Sequence, residues 1–222
     1  MFHPDEYISS LTRLLRTAFG ERLIYVGLQG SYLRGEATES SDIDVMVVID
    51  SMSVADLAAY RQAIASLPDA DKSCGFICGR DELLHWNPLE ICHLLHTTQD
   101  VYGTLSQLVP AYTETDLRRY IQMGVGNLFH ELCHRYVHAD RERNQAALPY
   151  TCKGVFYLLQ NLHYLKAGEF APTHAALLPL LEGQDHEVLA LSMRLRNGDS
   201  FDFDAAFDLL LSWCQDTLAF LA

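Results

Sequence analysis

Residues 30–48 read GSYLRGEATESSDIDVMVV, in which a glycine-serine turn and a polar loop lead to two alternating aspartates at the head of an aliphatic run. Ile43 to Ile49 has the composition of a buried strand. Successive side chains of a strand point to opposite faces, so Asp42 and Asp44 leave one face together while Ile43 points into the core. Two carboxylates side by side are the hard oxygen ligands that Mg²⁺ takes in company with substrate phosphates. Upstream, Gly30, Ser31, Arg34 and Gly35 bring amides, a hydroxyl and a guanidinium, groups that bind phosphate oxygens. An Asp-Ile-Asp triplet alone is ordinary ahead of a strand. Its coupling to the GS and RG pairs at this spacing points to a nucleoside triphosphate and its metal.

Working outward, Asp5 to Phe19 places Tyr7, Ile8, Leu11, Leu14, Leu15 and Ala18 on one face of an amphipathic helix. Leu23 to Leu28 predicts a first strand that Gly30 ends, and GSYLRG predicts a helical turn whose amides face the phosphates. After the strand at 43–49, Val54 to Ser66 reads as a helix stopped by Pro68, and Ser73 to Cys78 as a third strand. The stretch HWNPLEICHLLHTTQDVYGTL predicts one or two helices through Leu105, with His85, His93 and His96 read as hydrogen-bonded rather than metal-ligating. The second half is helical. A helix from Glu114 or Thr115 toward Tyr136 carries His130, His134 and His138 on one stripe, expected to pack at a domain interface. Pro149 to Gly168 predicts a helix capped by Thr151 with Lys153 in its first turn, where a positive charge opposes the helix dipole unless an anion offsets it. His174 to Leu181, Asp185 to Arg196 and Asp204 to Leu221 complete a bundle. The expected class is α+β: a small mixed sheet with helices over residues 1–108, then a helical bundle over 109–222.

The order Gly30, Ser31, Arg34, Gly35, then Ser41, Asp42, Ile43, Asp44 and an aliphatic strand resembles the signature of the polymerase-beta-like nucleotidyltransferases. The likeness is to the small bacterial group that includes the aminoglycoside nucleotidyltransferases. It implies that Gly30 and Ser31 cradle the triphosphate, that Arg34 and Ser41 belong to the nucleotide site, and that Asp42 and Asp44 are catalytic and bind Mg²⁺. It also implies that the helical domain closes over the nucleotide, where Lys153 would reach a phosphate. The expected activity moves a nucleoside monophosphate from ATP or another triphosphate to a hydroxyl of a small, cationic acceptor such as an aminoglycoside. Transfer to a protein acceptor, as in an antitoxin, and nucleotide binding without turnover are the alternatives. The family carries a third carboxylate on its third strand, but here that strand reads SCGFIC, with Asp69 and Asp71 before it and Asp81 and Glu82 after it.

Composition narrows the partners. The 222 residues are 49% hydrophobic, enough for real cores, and the formal charge is −13 with 16 Lys and Arg against 29 Asp and Glu. That balance disfavours nucleic acid, whose binding needs a basic face, and accords with a cationic small molecule. The six cysteines are dispersed and read as free thiols. No apolar run is long enough to span a bilayer, so the expectation is a cytoplasmic monomer or homodimer without membrane partners.

Overall fold

Pro4, whose fixed φ suits a first helical turn, opens helix α1 (Pro4–Phe19) in the computed structural model, which describes residues 2–222. The chain divides into two units, Met1–Tyr112 and Thr113–Ala222. In the first, α1 leads to strand β1 (Leu23–Gln29), the short helix α2 (Gly30–Leu33), β2 (Ile43–Ile49) and helix α3 (Val54–Ala65). Then come β3 (Ser73–Gly79), α4 (Arg80–Leu84), α5 (Pro88–His96) and β4 (Gln99–Tyr102). The sheet order is β3-β2-β1-β4, with β1 antiparallel to both β2 and β4 and β2 parallel to β3.

The period of two in β2 decides which side carries the chemistry. Ile43, Val45, Val47 and Ile49 face Leu11 and Leu15 of α1 and Tyr60 of α3 in one core cluster. Met46 and Val48 face the other way, into a second cluster with Tyr25, Cys78 and Leu83, against which Trp86 and Leu94 pack. Asp42 and Asp44 are in phase with Met46 and Val48, so they sit at the end of that second face. Far from the aspartates, at the other end of β2, Arg22 ties the strand to α3. Its Nη1 lies 2.7 Å from Asp56 Oδ1 and its Nε 2.9 Å from Asp50 Oδ1. Asp56 also closes a capping box with Ser53 at the start of α3.

One element departs from the sequence expectation in this unit. Where a helix was expected to run on toward Leu105, α5 ends at His96 and the chain forms β4. Asp100 fixes that strand, because its Oδ1 accepts from the buried Tyr25 hydroxyl at 2.7 Å and from the Leu105 amide at 3.2 Å.

The second unit is all helical: α6 (Glu114–His138), α7 (Arg141–Thr151), α8 (Val155–Ala167), α9 (His174–Leu177), α10 (Gly183–Asn197) and α11 (Phe203–Leu221). A Thr113–Asp116 capping box starts α6, and Leu117, Ile121, Val125, Leu128 and Leu132 form its buried stripe. Gly124 lets α8 approach, since a methyl there would run into Leu158. The α6 stripe, the aliphatic residues of α8 and α10, and Phe207, Leu210 and Trp213 of α11 make the core. Among the described residues no helix is long and apolar enough to cross a membrane.

Two expectations for the bundle are corrected. Pro149 does not precede a helix but lies inside α7, and Thr151 ends that helix, its hydroxyl donating to Glu131 Oε1 at 3.0 Å rather than capping α8. Lys153 consequently lies in a 3₁₀ turn, Cys152–Gly154, just ahead of α8. The histidine stripe is not packed: His130, His134 and His138 are all exposed, because the buried stripe of α6 runs along its other face.

Candidate nucleotide and metal site

Gly30 can occupy its position only because it lacks a side chain. Its φ of +73° is in the left-handed region, and a methyl group there would fall on Asp44 Oδ2. The β1–β2 ladder explains the proximity, since Gln29, the residue before Gly30, pairs with Asp44. The Gln29 side chain is anchored in turn, donating to Thr98 Oγ1 at 2.8 Å. Gly30 and Ser31 thus open α2 directly over the second aspartate. The first amides of a helix have no carbonyl within it to bond, and they point outward from this end.

The loop between the turn and the aspartates is held by its own polar groups. Thr38 N donates to Ser41 Oγ at 2.8 Å, and Lys72 Nζ donates to the Glu39 carbonyl at 2.6 Å. Arg34 Nε lies 3.1 Å from Glu36 Oε2, and both side chains are largely buried. Arg34 and Ser41, expected at the nucleotide, therefore also brace the turn. The same pairing leaves the Glu36 carboxylate engaged by Arg34. Burial foremost, then the positive Arg34 and the neighbouring His96, push the His93 imidazole down to about 4, so it is neutral near pH 7.

Asp42 is exposed and Asp44 half-buried. On the far side of Asp44 the parallel β2–β3 register sets Cys74 directly beside it. The Cys74 thiol is hydrogen-bonded with the Asp44 carboxylate and is pushed up from the ordinary thiol value, by desolvation first and by Asp44 and Asp42 in addition. It stands there as a neutral S–H, and no strand carboxylate takes that place. Gly75, at φ +112°, lets β3 press against β2, because a side chain there would strike the Val45 carbonyl. Burial foremost pushes the Tyr7 hydroxyl of α1 up, and the negative charges of Asp69 and Asp71, the nearest acids in sequence, add to it.

The structure thus brings Gly30, Asp44 and Cys74 together, with Ser31 and Asp42 as their chain neighbours. Cys74 was missed as a site residue. The signal was its place in the strand paired with the aspartates, which register alone discloses. Among the described residues no three His, Cys, Asp or Glu side chains converge as a metal-binding group. Two hard carboxylates on one face still suit Mg²⁺, which completes its shell with phosphate oxygens and water.

Residues 11–74 match the model of the nucleotidyltransferase domain, a span that holds β1, the Gly30 turn and both aspartates. No curated protein sequence matches the chain. Among solved structures, the spectinomycin adenyltransferase AAD(9) from Enterococcus faecialis, determined with ATP and spectinomycin, is similar over 97% of this chain and 99% of its own, with a TM-score of 0.60 and 17% identity. A nucleotidyltransferase-like protein from Exiguobacterium sibiricum is similar over 94% of this chain and 73% of its own, at 12% identity and a TM-score of 0.41. The chain has the fold of the polymerase-beta-like nucleotidyltransferase superfamily, resembling aminoglycoside-modifying nucleotidyltransferases such as AAD(9).

Proposed function

We propose that the protein is a Mg²⁺-dependent nucleotidyltransferase that moves a nucleoside monophosphate, from ATP in the first instance, to a hydroxyl of a small cationic acceptor such as an aminoglycoside or aminocyclitol. The observation that carries this is the seating of the Gly30 turn on the Asp44 carboxylate within a nucleotidyltransferase fold. A turn that presents amides beside a carboxylate pair holds a triphosphate and its cation as one unit.

The Gly30 and Ser31 amides and the Ser31 hydroxyl bind the phosphate chain and retain the leaving pyrophosphate. Arg34 and Ser41 complete the proposed nucleotide set within the first unit. Asp42 and Asp44 hold the cation, and Mg²⁺ when bound supplies positive charge against the charge gathering on the phosphates. The acceptor oxygen forms its bond to the α phosphorus as the bond to the bridging oxygen of pyrophosphate breaks. The hydroxyl proton passes to solvent, since Cys74 stands protonated beside Asp44 and Glu36 is paired with Arg34. The formal charge of −13 favours approach of a polycation.

Calorimetric titration of ATP, with and without Mg²⁺, into the wild type and an Asp42→Asn, Asp44→Asn double variant tests the site. Binding that requires Mg²⁺ and is lost in the double variant supports it; binding indifferent to both removes it. A screen of aminocyclitols and aminoglycosides for pyrophosphate release then tests the acceptor class. A second reading, nucleotide binding without turnover, is favoured by Cys74. It predicts Mg²⁺-dependent ATP affinity with no pyrophosphate release from any acceptor, and release that appears in a Cys74→Asp variant.

A further inference from the structure

We propose that the C-terminal half of α6 is a two-imidazole site for a borderline first-row cation, with Zn²⁺ as its test ion. His130, His134 and His138 recur every four residues and so rise along one side of the helix, one turn apart. All three are exposed. The His134 and His138 rings have centroids 4.7 Å apart and the His130 and His134 rings 6.1 Å apart. Two nitrogens on one tetrahedral Zn²⁺, each at about 2.0–2.1 Å, lie roughly 3.3 Å from each other. Rings at the closer spacing reach that separation by side-chain rotation alone.

The chemistry of the surroundings selects the same pair. Paired histidines at i and i+4 on a helix are a recurrent zinc-binding arrangement, and imidazole prefers Zn²⁺, Cu²⁺ or Ni²⁺ over the hard Mg²⁺. His138 is the last residue of α6 and His134 lies one turn before it, where the carbonyl end of the helix favours a cation. The nearby positive charge is offset, since Arg135 Nε lies 2.8 Å from Glu131 Oε1. Among the described residues no third ligand converges on the pair, so water fills the remaining positions. The stripe belongs to the second unit, whereas Asp42 and Asp44 belong to the first, so the two cation sites are tested separately.

The experiment is calorimetric titration of ZnCl₂ into the full, untagged chain, with the thermal midpoint recorded in parallel. Wild type is expected to bind saturably and to gain thermal stability with Zn²⁺. Affinity should fall roughly tenfold or more in His134→Ala and in His138→Ala, while His130→Ala stays within about threefold of wild type. These side chains are exposed, so circular dichroism of the variants should match wild type. Millimolar Mg²⁺ should not compete, and the Asp42→Asn, Asp44→Asn variant should retain zinc binding. No saturable binding by wild type, or affinity unchanged in His134→Ala, overturns the proposal. So does zinc binding that survives in His134→Ala and vanishes in the aspartate variant.

Discussion

Replacing Gly30 by alanine separates backbone strain from damage to the proposed metal site, because Gly35 offers a matched control. Gly30 sits at φ +73° and Gly35 at φ +68°, so each alanine meets nearly the same left-handed penalty, roughly 1–2 kcal/mol. Only at Gly30 does the new methyl meet another group, Asp44 Oδ2, whereas nothing lies within 4 Å of one at Gly35. Forcing the Asp44 side chain off its rotamer adds about 0.5–1.5 kcal/mol. Stability should therefore fall by roughly 1.5–3.5 kcal/mol in Gly30→Ala and by about 1–2 kcal/mol in Gly35→Ala. The larger difference is in binding. A displaced Asp44 cannot share a cation with Asp42, so Mg²⁺-dependent ATP affinity should drop at least about tenfold in Gly30→Ala and change little in Gly35→Ala. Urea unfolding gives the first pair of numbers and calorimetry the second. Equal loss of affinity in the two variants would refute the link between Gly30 and Asp44.

Gly75→Ala should be more damaging to the fold, by roughly 3 kcal/mol in urea unfolding, since its methyl meets the Val45 backbone carbonyl and a φ of +112° is hostile to a side chain. A loss under about 1 kcal/mol would show that β3 can slide away from β2. His93, neutral and pushed down to about 4 where an unfolded histidine titrates at 6.5, should make stability fall as pH drops from 6.5 toward 4 and level off below. The unfolded chain takes the proton in that window and the folded chain does not. Over that interval the wild type should lose up to about 3 kcal/mol more than His93→Gln, and parallel pH profiles would exclude it. Asp56 is held well below the usual carboxylate range, by Arg22 first and Ser53 next. It stabilises the fold above about pH 4 and loses that effect as it protonates below, so Asp56→Asn should lower the thermal midpoint at pH 7 and flatten the decline in acid.

What the sequence made legible follows from which physical signals are local. The strand at 43–49 shows as an aliphatic run, and the alternation within it already places Asp42 and Asp44 on one face. Helix α1 shows as a periodic stripe, and its five buried residues, Tyr7, Ile8, Leu11, Leu15 and Phe19, keep that period. β4 was hidden because a short edge strand of Gln, Asp, Val and Tyr has almost no apolar pattern, and its place is fixed by the distant Tyr25 hydroxyl. The break of the Pro149 helix was hidden for a related reason. Thr151 is a good cap by composition, yet its hydroxyl is claimed by Glu131, twenty residues earlier. The histidine stripe was legible as a stripe, but four-residue spacing does not say which face of α6 is buried. Leu117, Ile121, Val125, Leu128 and Leu132 decide that, and they leave the histidines outside.

The same distinction bears on catalysis. A carboxylate pair and a glycine turn are readable because both lie within fifteen consecutive residues, 30 to 44. The third side chain at the site comes from a strand thirty residues on, and only the parallel register shows that it is Cys74 beside Asp44. A neutral thiol there changes the charge available to the site. Two carboxylates still match the charge of one divalent cation, which accords with the metal-bound triphosphate proposed above. A third negative charge, or a base able to receive the acceptor's proton, is what the thiol does not supply. In the proposed reaction Gly30 and the two aspartates serve nucleotide binding and turnover alike, and a Cys74→Asp variant tests whether a third carboxylate beside Asp44 adds turnover to that binding.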